Sequence, residues 1–229
     1  DAAPAWDRPL LEMYQSVSDP DAPTDRALVS YAESATPEFV LERIREAIRS
    51  GAVFSDIGGV SGDEIMEFRE AFADSLAQDD FTLDTVTETV MDFTGEARDN
   101  AEVTARTEVG NALKHARELG YEEKGDADEL FYWTGADPGD ERQTDACGFL
   151  IAGTGGHLEN NGAFTGLDHT EGTNPFNGGT PLPMKDLKQL VADAARADPE
   201  IDTSPRTWTP HIQCRSTFAK APENWRSLS

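Results

Sequence analysis

Cysteine, lysine and long hydrophobic runs are all scarce in this chain of 229 residues. No apolar run approaches the roughly 18 residues of a membrane span, and no signal peptide is visible. The chain lacks an initiator Met, so we expect it to be processed, trimmed or a fragment of a longer protein. It also lacks a Gly-x-Ser-x-Gly elbow, a His-Glu-x-x-His motif and a Walker loop. These absences argue against a membrane protein and against the commonest classes of enzyme.

Positive charge is scarce as well, because 5 Lys and 14 Arg stand against 44 Asp and Glu, for a net charge of −25. Acid-rich, lysine-poor chains resemble the proteins of salt-saturated cytoplasm, the haloarchaeal type. At about 1 M salt the Debye length is only ~3 Å, so surplus carboxylates repel one another weakly. Phosphate contacts need Lys and Arg, so we expect no strong direct binding of nucleic acid. The hydrophobic fraction of 38% is nevertheless that of a globular protein once glycine is added.

The first 35 residues are rich in Pro, Asp and Ala, and we interpret residues 1–35 as an extended N-terminal arm. A short helix around Leu10 to Tyr14 is compatible with this interpretation. The apolar residues Trp6, Leu10 and Tyr14 either dock on a neighbouring protein or fold back onto their own domain.

Residues 36–120 have the apolar spacing and the caps of amphipathic helices. We predict three helical regions, with the third closed by Gly120 and a plausible break at Gly95. The regions are 36–50, 61–76 and 82–119.

Residues 121–229 are predicted to form a loop-rich part. Short strands are expected at 129–133 and 148–152, and a last helix at 184–196. The predicted fold class is therefore α+β, with N-terminal amphipathic helices followed by an irregular, loop-rich α+β part with short strands. Residues 36–229 are expected to form one domain.

Polar residues cluster within the third helical region, at Arg106, Glu108 and Asn111. Glu108 and Asn111 share a face of a helix, whereas Arg106 and Glu108 do not face each other. We expect Arg106 and Glu108 to make structural ion pairs or hydrogen bonds to the α+β part. The alternative is a catalytic carboxylate at Glu108.

Cys147 and Cys214 are the only cysteines. His211 lies three positions before Cys214, so these three residues supply part of a tetrahedral zinc site, which His157 or His169 could complete. The alternatives are a disulfide between Cys147 and Cys214 or two buried free thiols.

Taken in order, several short motifs resemble the phage Mu F-like minor head proteins, also called head morphogenesis proteins. The similarity covers roughly residues 50–218. It departs from the family pattern where Cys147 and Cys214 stand without the second cysteine of each family motif. The motifs are Ala105-Arg106-Thr107-Glu108 with Asn111, then Trp133, then Asp140-Glu141-Arg142 and Thr144 before Cys147, then Pro210-His211 and Cys214-Arg215.

This resemblance implies a minor structural protein of a tailed-virus head rather than an enzyme. Such proteins associate in several copies with the portal inside the capsid and act in head assembly and in DNA packaging or ejection. The implied partners are the portal protein and other head proteins, and the implied cofactor is either none or zinc. We expect the arm, with Trp6, Leu10 and Tyr14, to make the portal contact, so that deletion of residues 1–30 abolishes it.

Two other functions remain open at this stage. One is a small metal-dependent hydrolase or transferase that uses Glu108 or a histidine. The other is a zinc-stabilised binding module built on the cysteines.

Overall fold

The chain forms two compact units, a helical unit at Pro4–Tyr121 and an α+β unit at Glu122–Ser229 that also includes Asp1–Ala3. The α+β fold class is confirmed. The computed structural model describes residues 4–18, 23–25, 38–51, 53, 62–75, 81–126, 128–135, 145–154, 180–197, 208–210, 214, 216–221 and 223.

The helical unit contains a set of amphipathic helices around one hydrophobic core. Their buried apolar side chains recur at helical spacing, and burial of such side chains is the main source of stability in a bundle of this kind. The ring of Phe68 in α3 stacks on that of Phe72 in the same helix and contacts Phe93 of α4 edge-on. The helices are α1 (Arg8–Ser18), α2 (Glu38–Arg49), α3 (Gly62–Ser75), α4 (Leu83–Thr94) and α5 (Arg98–Lys124).

Helix α1 belongs to the core and is not part of an extended arm. Leu10 and Tyr14 are buried in the core cluster, and Trp6 packs against it with rings 6.0 Å from Phe39 and 4.9 Å from Tyr121. Of the two alternatives for these residues, the structure shows the one in which the segment folds onto its own domain. The rest of the predicted arm, apart from residues 4–7 and 23–25, lies outside the described residues.

The predicted break at Gly95 is confirmed, because this residue ends α4 in the left-handed conformation at φ 69°. Thr82 begins the same helix with a capping box shared with Thr85. The prediction that Gly120 closes the following helix is wrong. Helix α5 continues to Lys124, and Gly125, at φ 77°, follows its last turn.

Gly120 instead allows a close approach, because the indole of Trp6 lies directly over it. A Cβ atom at this position would be 2.6 Å from Cη2 of Trp6. We therefore expect Gly120→Ala to lower the free energy of unfolding by about 1–3 kcal/mol, the usual cost of overpacking a core. Denaturant unfolding in high salt, followed by circular dichroism, measures this loss.

Gly110, in the same helix, provides the matched control. A Cβ atom there would lie 3.5 Å from Cε2 of Tyr14, which is ordinary van der Waals contact. Alanine is favoured over glycine in a helix by about 1 kcal/mol, so Gly110→Ala should be neutral or stabilising. Equal losses in the two variants would contradict the assignment of Gly120 to the Trp6 contact.

The α+β unit is built on an antiparallel sheet whose strand order is β2-β1-β3. Trp133 of β1 pairs with Phe218 of β3, whereas β2 pairs only with the first two residues of β1. Helices α6 and α7 contact each other, and both contact β1. The elements are β1 (Leu130–Gly135), α6 (Asp145–Thr154), β2 (Leu182–Pro183), α7 (Met184–Ala197) and β3 (Ser216–Lys220).

The sequence predictions for this unit have mixed outcomes. The strand at 129–133 and the helix at 184–196 are confirmed as β1 and α7. The strand predicted at 148–152 is wrong, because these residues lie inside α6. A short apolar run that is buried on all sides has the same pattern in a strand and in a helix, which explains the error.

Candidate functional site

The central feature of the helical unit is the run of α5 from Ala105 to Glu118, where every residue is buried. A surface helix normally keeps a polar stripe in water, but this run buries charged side chains on several faces. Burial of a charge is costly unless the group is paired, so the partners of these residues decide what the helix can do. The buried polar residues are Arg106, Thr107, Glu108, Asn111, Lys114, His115, Arg117 and Glu118.

Arg106 connects α5 to the C-terminal end of α1. Its Nη1 donates a hydrogen bond to the carbonyl of Val17 at 3.1 Å, and its Nε donates to Oε1 of Glu102 at 3.0 Å. The last carbonyls of a helix lack partners within the helix and carry partial negative charge. Helix α1 has no basic residue in its own last turn, so Arg106 supplies the positive charge at that end.

The next motif residues, Thr107, Glu108 and Asn111, are also buried in the helical unit. Thr107 donates to the carbonyl of Val103 at 2.8 Å, and Asn111 is fully buried. Burial lowers the pKa of Arg69 in α3, and the nearby Glu108 carboxylate opposes that shift. Glu108 therefore faces a cation from α3, as a structural ion-pair partner would. The prediction that Arg106 and Glu108 contact the α+β part stays a prediction.

Asp7, Arg117 and Tyr121 form a buried ionic triad that the sequence did not reveal. Nε and Nη2 of Arg117 donate to the two carboxylate oxygens of Asp7, at 2.6 and 2.8 Å. The hydroxyl of Tyr121 donates to Oδ2 of Asp7 at 3.0 Å. Burial opposes the charge on Arg117, but the adjacent Asp7 outweighs it, and the pKa of Arg117 is raised. The triad fastens the turn before α1 to the last third of α5.

The triad predicts an alkaline limit to stability. Burial, and next the Asp7 carboxylate, raise the pKa of Tyr121 above its ordinary value of 10.0. A raised folded pKa means that the unfolded chain releases this proton first, so stability falls as pH rises above about 10. We expect wild type to lose stability more steeply there than Tyr121→Phe, measured by denaturant unfolding between pH 8 and pH 11. Parallel slopes for the two proteins would contradict this role.

Two further polar side chains of α5, those of Lys114 and His115, are also buried. The ammonium of Lys114 lies 5.0 Å from the ring centroid of Tyr14, within cation–π range. Nδ1 of His115 lies 3.2 Å from Oε2 of Glu118. Sequence patterning could not identify the contacts of Lys114 and Asp7, because their partners are distant in sequence. The contacts of Arg106 and Arg117 thus hold α5 to α1 and to the turn before it.

Trp133, another motif residue, lies in the aromatic core of the α+β unit. Its ring stacks on that of Trp208 at a centroid distance of 6.4 Å and an interplanar angle of 6°. Trp208 also contacts Phe218, and Phe218 contacts Phe131. These rings fix β1 against β3 and the segment before it.

Thr154 continues the hydrogen bonding of β1 beyond the short strand β2. Its hydroxyl accepts from the Trp133 N–H at 2.7 Å and donates to the Leu150 carbonyl at 2.7 Å. We expect Thr154→Val to cost about 1–3 kcal/mol, because the buried N–H loses its acceptor. Thr154→Ser, which keeps the hydroxyl, is the control. Equal unfolding midpoints for the two variants would contradict this assignment.

The structure brings Cys147 and Cys214 together, although they are 67 positions apart. Their Sγ atoms lie 3.5 Å apart, and both side chains are buried. Cys147 is in α6, and Cys214 lies just before β3, with its Sγ 3.6 Å from the carbonyl oxygen of Ser216. We call these two residues the cysteine pair.

The cysteine pair fits two corners of a zinc tetrahedron. Zn–S bonds of about 2.3 Å give tetrahedral S···S edges of about 3.8 Å, close to the observed separation of 3.5 Å. The described part of the chain contains no group of three or more His, Cys, Asp or Glu residues placed to hold a metal. His211, the predicted third ligand, lies outside the described residues.

The remaining predicted residues cannot be placed. Arg142 and Arg215 lie outside the described residues, as do His157 and His169.

Within the described ranges, no helix is both long enough and apolar enough to cross a membrane. Comparison of the chain with protein-family models, curated proteins and solved structures gave no match. Inference about function therefore starts from the residues and contacts above.

Proposed function

We propose that this chain is a minor structural protein of a tailed-virus head, associated with the portal inside the capsid. Its role is in head assembly and in DNA packaging or ejection. One observation carries the proposal. Two of the motif residues that resemble the Mu F-like family, Cys147 and Cys214, are distant in sequence yet meet in one buried contact. This convergence supports treating the motifs that contain Cys147 and Cys214 as parts of one folded site.

The contacts of the other motif residues agree with a structural role. Arg106 binds the end of α1, Glu108 faces Arg69, and Trp133 packs in an aromatic core. Each of these side chains is used to hold elements of the chain together. A virion component needs such rigidity and needs no reactive centre.

The charge of the chain limits how such a protein can work beside packaged DNA. A net charge of −25 gives little capacity to neutralise phosphate, and counterion release contributes less to binding as salt rises. We therefore propose that the chain acts through protein contacts, with the portal protein and other head proteins as partners.

The contact surface for the portal needs revision from the sequence-based expectation. Leu10 and Tyr14 are in the core of the helical unit, so they reach a partner only if α1 leaves it. Deletion of residues 1–30 would also remove Asp7 from the buried triad. We expect such a deletion to unfold the unit, so it would not test docking specifically.

The test of the proposed function is the location of the chain in purified virions. We expect a few copies per particle by quantitative mass spectrometry and antibody labelling at a single vertex after the capsid is opened. The major capsid protein, which labels the whole shell, is the control. Absence of the chain from intact virions, or its presence at every vertex, would refute the proposal.

A further inference from the structure

The cysteine pair has a geometry that favours covalent closure. Disulfide sulfur atoms lie about 2.05 Å apart, so the Sγ atoms of Cys147 and Cys214 need to approach by about 1.5 Å from their separation of 3.5 Å. Rotation about the two Cα–Cβ bonds provides a movement of this size.

The surroundings of the pair give a bond there a mechanical consequence. Cys147 lies in α6, which contacts β1, and Cys214 lies directly before β3, which pairs with β1. The described sheet is small, since β2 has only 2 residues and β3 has 5. A cross-link at this point would fasten α6 to the edge strand β3 of a sheet with few hydrogen bonds of its own.

We infer that Cys147 and Cys214 form a reversible intramolecular disulfide, with a small-molecule disulfide as the oxidant. This inference does not depend on the proposed function. Cys214 is 8% exposed and Cys147 is 1% exposed, so Cys214 is the side chain that meets the oxidant first.

The reaction is thiol–disulfide exchange in two steps. The Cys214 thiolate attacks one sulfur of the oxidant, whose other sulfur leaves as a thiol, and a mixed disulfide results. The Cys147 thiolate then attacks the Cys214 sulfur, and the second small thiol leaves. The two protein thiols lose two electrons and two protons, and the small disulfide gains both.

The equilibrium constant for formation of this disulfide should be much larger in the folded chain than in the unfolded chain. The fold holds the two sulfur atoms in contact, whereas the unfolded chain must close a loop of 67 positions. By thermodynamic linkage, the factor by which the disulfide favours folding equals the factor by which folding favours formation of the disulfide. For typical protein disulfides this factor is roughly 30- to 900-fold.

The experiment uses the full chain in about 3 M KCl, equilibrated with mixtures of oxidised and reduced glutathione. After acid quenching and alkylation, intact mass spectrometry counts free thiols. We expect loss of two hydrogen masses without a glutathione adduct, at glutathione ratios at least tenfold more reducing than those needed in denaturant. The oxidised chain should also melt at a higher temperature than the reduced chain.

A single-cysteine variant provides the control for the second step. In Cys147→Ser the resolving thiol is absent, so Cys214 should accumulate as the mixed disulfide with glutathione. If wild type stays reduced, or stops at the mixed disulfide, in buffers that oxidise the denatured chain, the inference is wrong. It is equally wrong if the purified chain holds about one zinc ion that protects both thiols from glutathione. The wild-type measurement decides the matter even if the variant does not fold.

Discussion

In about 0.1 M KCl the purified chain should be largely unfolded, and in about 3 M KCl it should be folded. The reason is the net charge of −25, because 44 acidic residues face 19 basic ones. The Debye length is about 10 Å at 0.1 M salt and ~3 Å at 1 M, so high salt removes most repulsion between surface carboxylates. At low salt this self-repulsion works against a folded state that is only marginally stable, by about 5–15 kcal/mol.

The structure shows which acidic side chains are exposed to solvent, where dissolved salt can screen their charge. The acidic residues Glu67, Glu88 and Glu122 are exposed, each on a different helix of the described chain. The buried carboxylates of Asp7 and Glu108, by contrast, lie near the cations Arg117 and Arg69. Salt should therefore act on the surface of the protein and leave the internal ion pairs almost unchanged.

Circular dichroism melts at a series of KCl concentrations measure the effect, with sucrose as an uncharged comparison. A matched variant replaces Glu67, Glu88 and Glu122 by Lys, which changes the net charge from −25 by three times +2, to −19. This variant should fold at a lower KCl concentration than wild type. A melting temperature that does not change between about 0.1 and 3 M KCl would refute the prediction.

Several of the helices could be predicted from the sequence because the physics involved is local. The spacing of apolar residues and the end of α4 at Gly95 are determined within a few positions of chain. The same local rules failed at Gly120. A glycine after a run of helical residues is typical of a helix end, but Gly120 lies within α5. Its missing side chain leaves room for Trp6, a residue more than a hundred positions earlier.

The candidate site was less predictable than the fold for a related reason. Patterning identified Arg106 and Glu108 as polar residues on a packed helix, but it could not identify Val17 or Arg69 as their neighbours. Asp7 gave no signal, because an acidic residue in a Pro- and Ala-rich segment looks like solvent-exposed chain. In the α+β unit, the cysteine pair was one of several alternatives until its geometry was known.

Removal of the charge on Asp7 should have the largest effect of any single substitution considered. Asp7→Asn leaves the Arg117 guanidinium charged, buried and without its carboxylate, and Tyr121 loses its anionic acceptor. Breaking one side of a buried ion pair typically costs about 3–5 kcal/mol, a large share of the stability of a single domain. The N-terminal turn and α1 should detach first, since the triad is what ties that turn to α5.

Two comparisons separate this effect from a general loss of charge. Arg196 and Asp193 form an exposed pair at 2.7 Å, so Arg196→Met should cost less than about 1 kcal/mol. The double variant Asp7→Leu, Arg117→Met removes both buried charges, and it should recover much of the loss seen in Asp7→Asn, because no uncompensated charge remains.

The stability lost in Asp7→Asn should not depend on the KCl concentration. Surface repulsion is screened by KCl, but a pair whose side chains are 1% and 0% exposed is not. The free-energy difference between wild type and Asp7→Asn should therefore be the same at about 2 M and about 4 M KCl, even though each protein alone becomes more stable. Denaturant unfolding of both proteins at both salt concentrations measures this difference. A difference that shrinks with salt would mean that Asp7 acts as one more surface carboxylate.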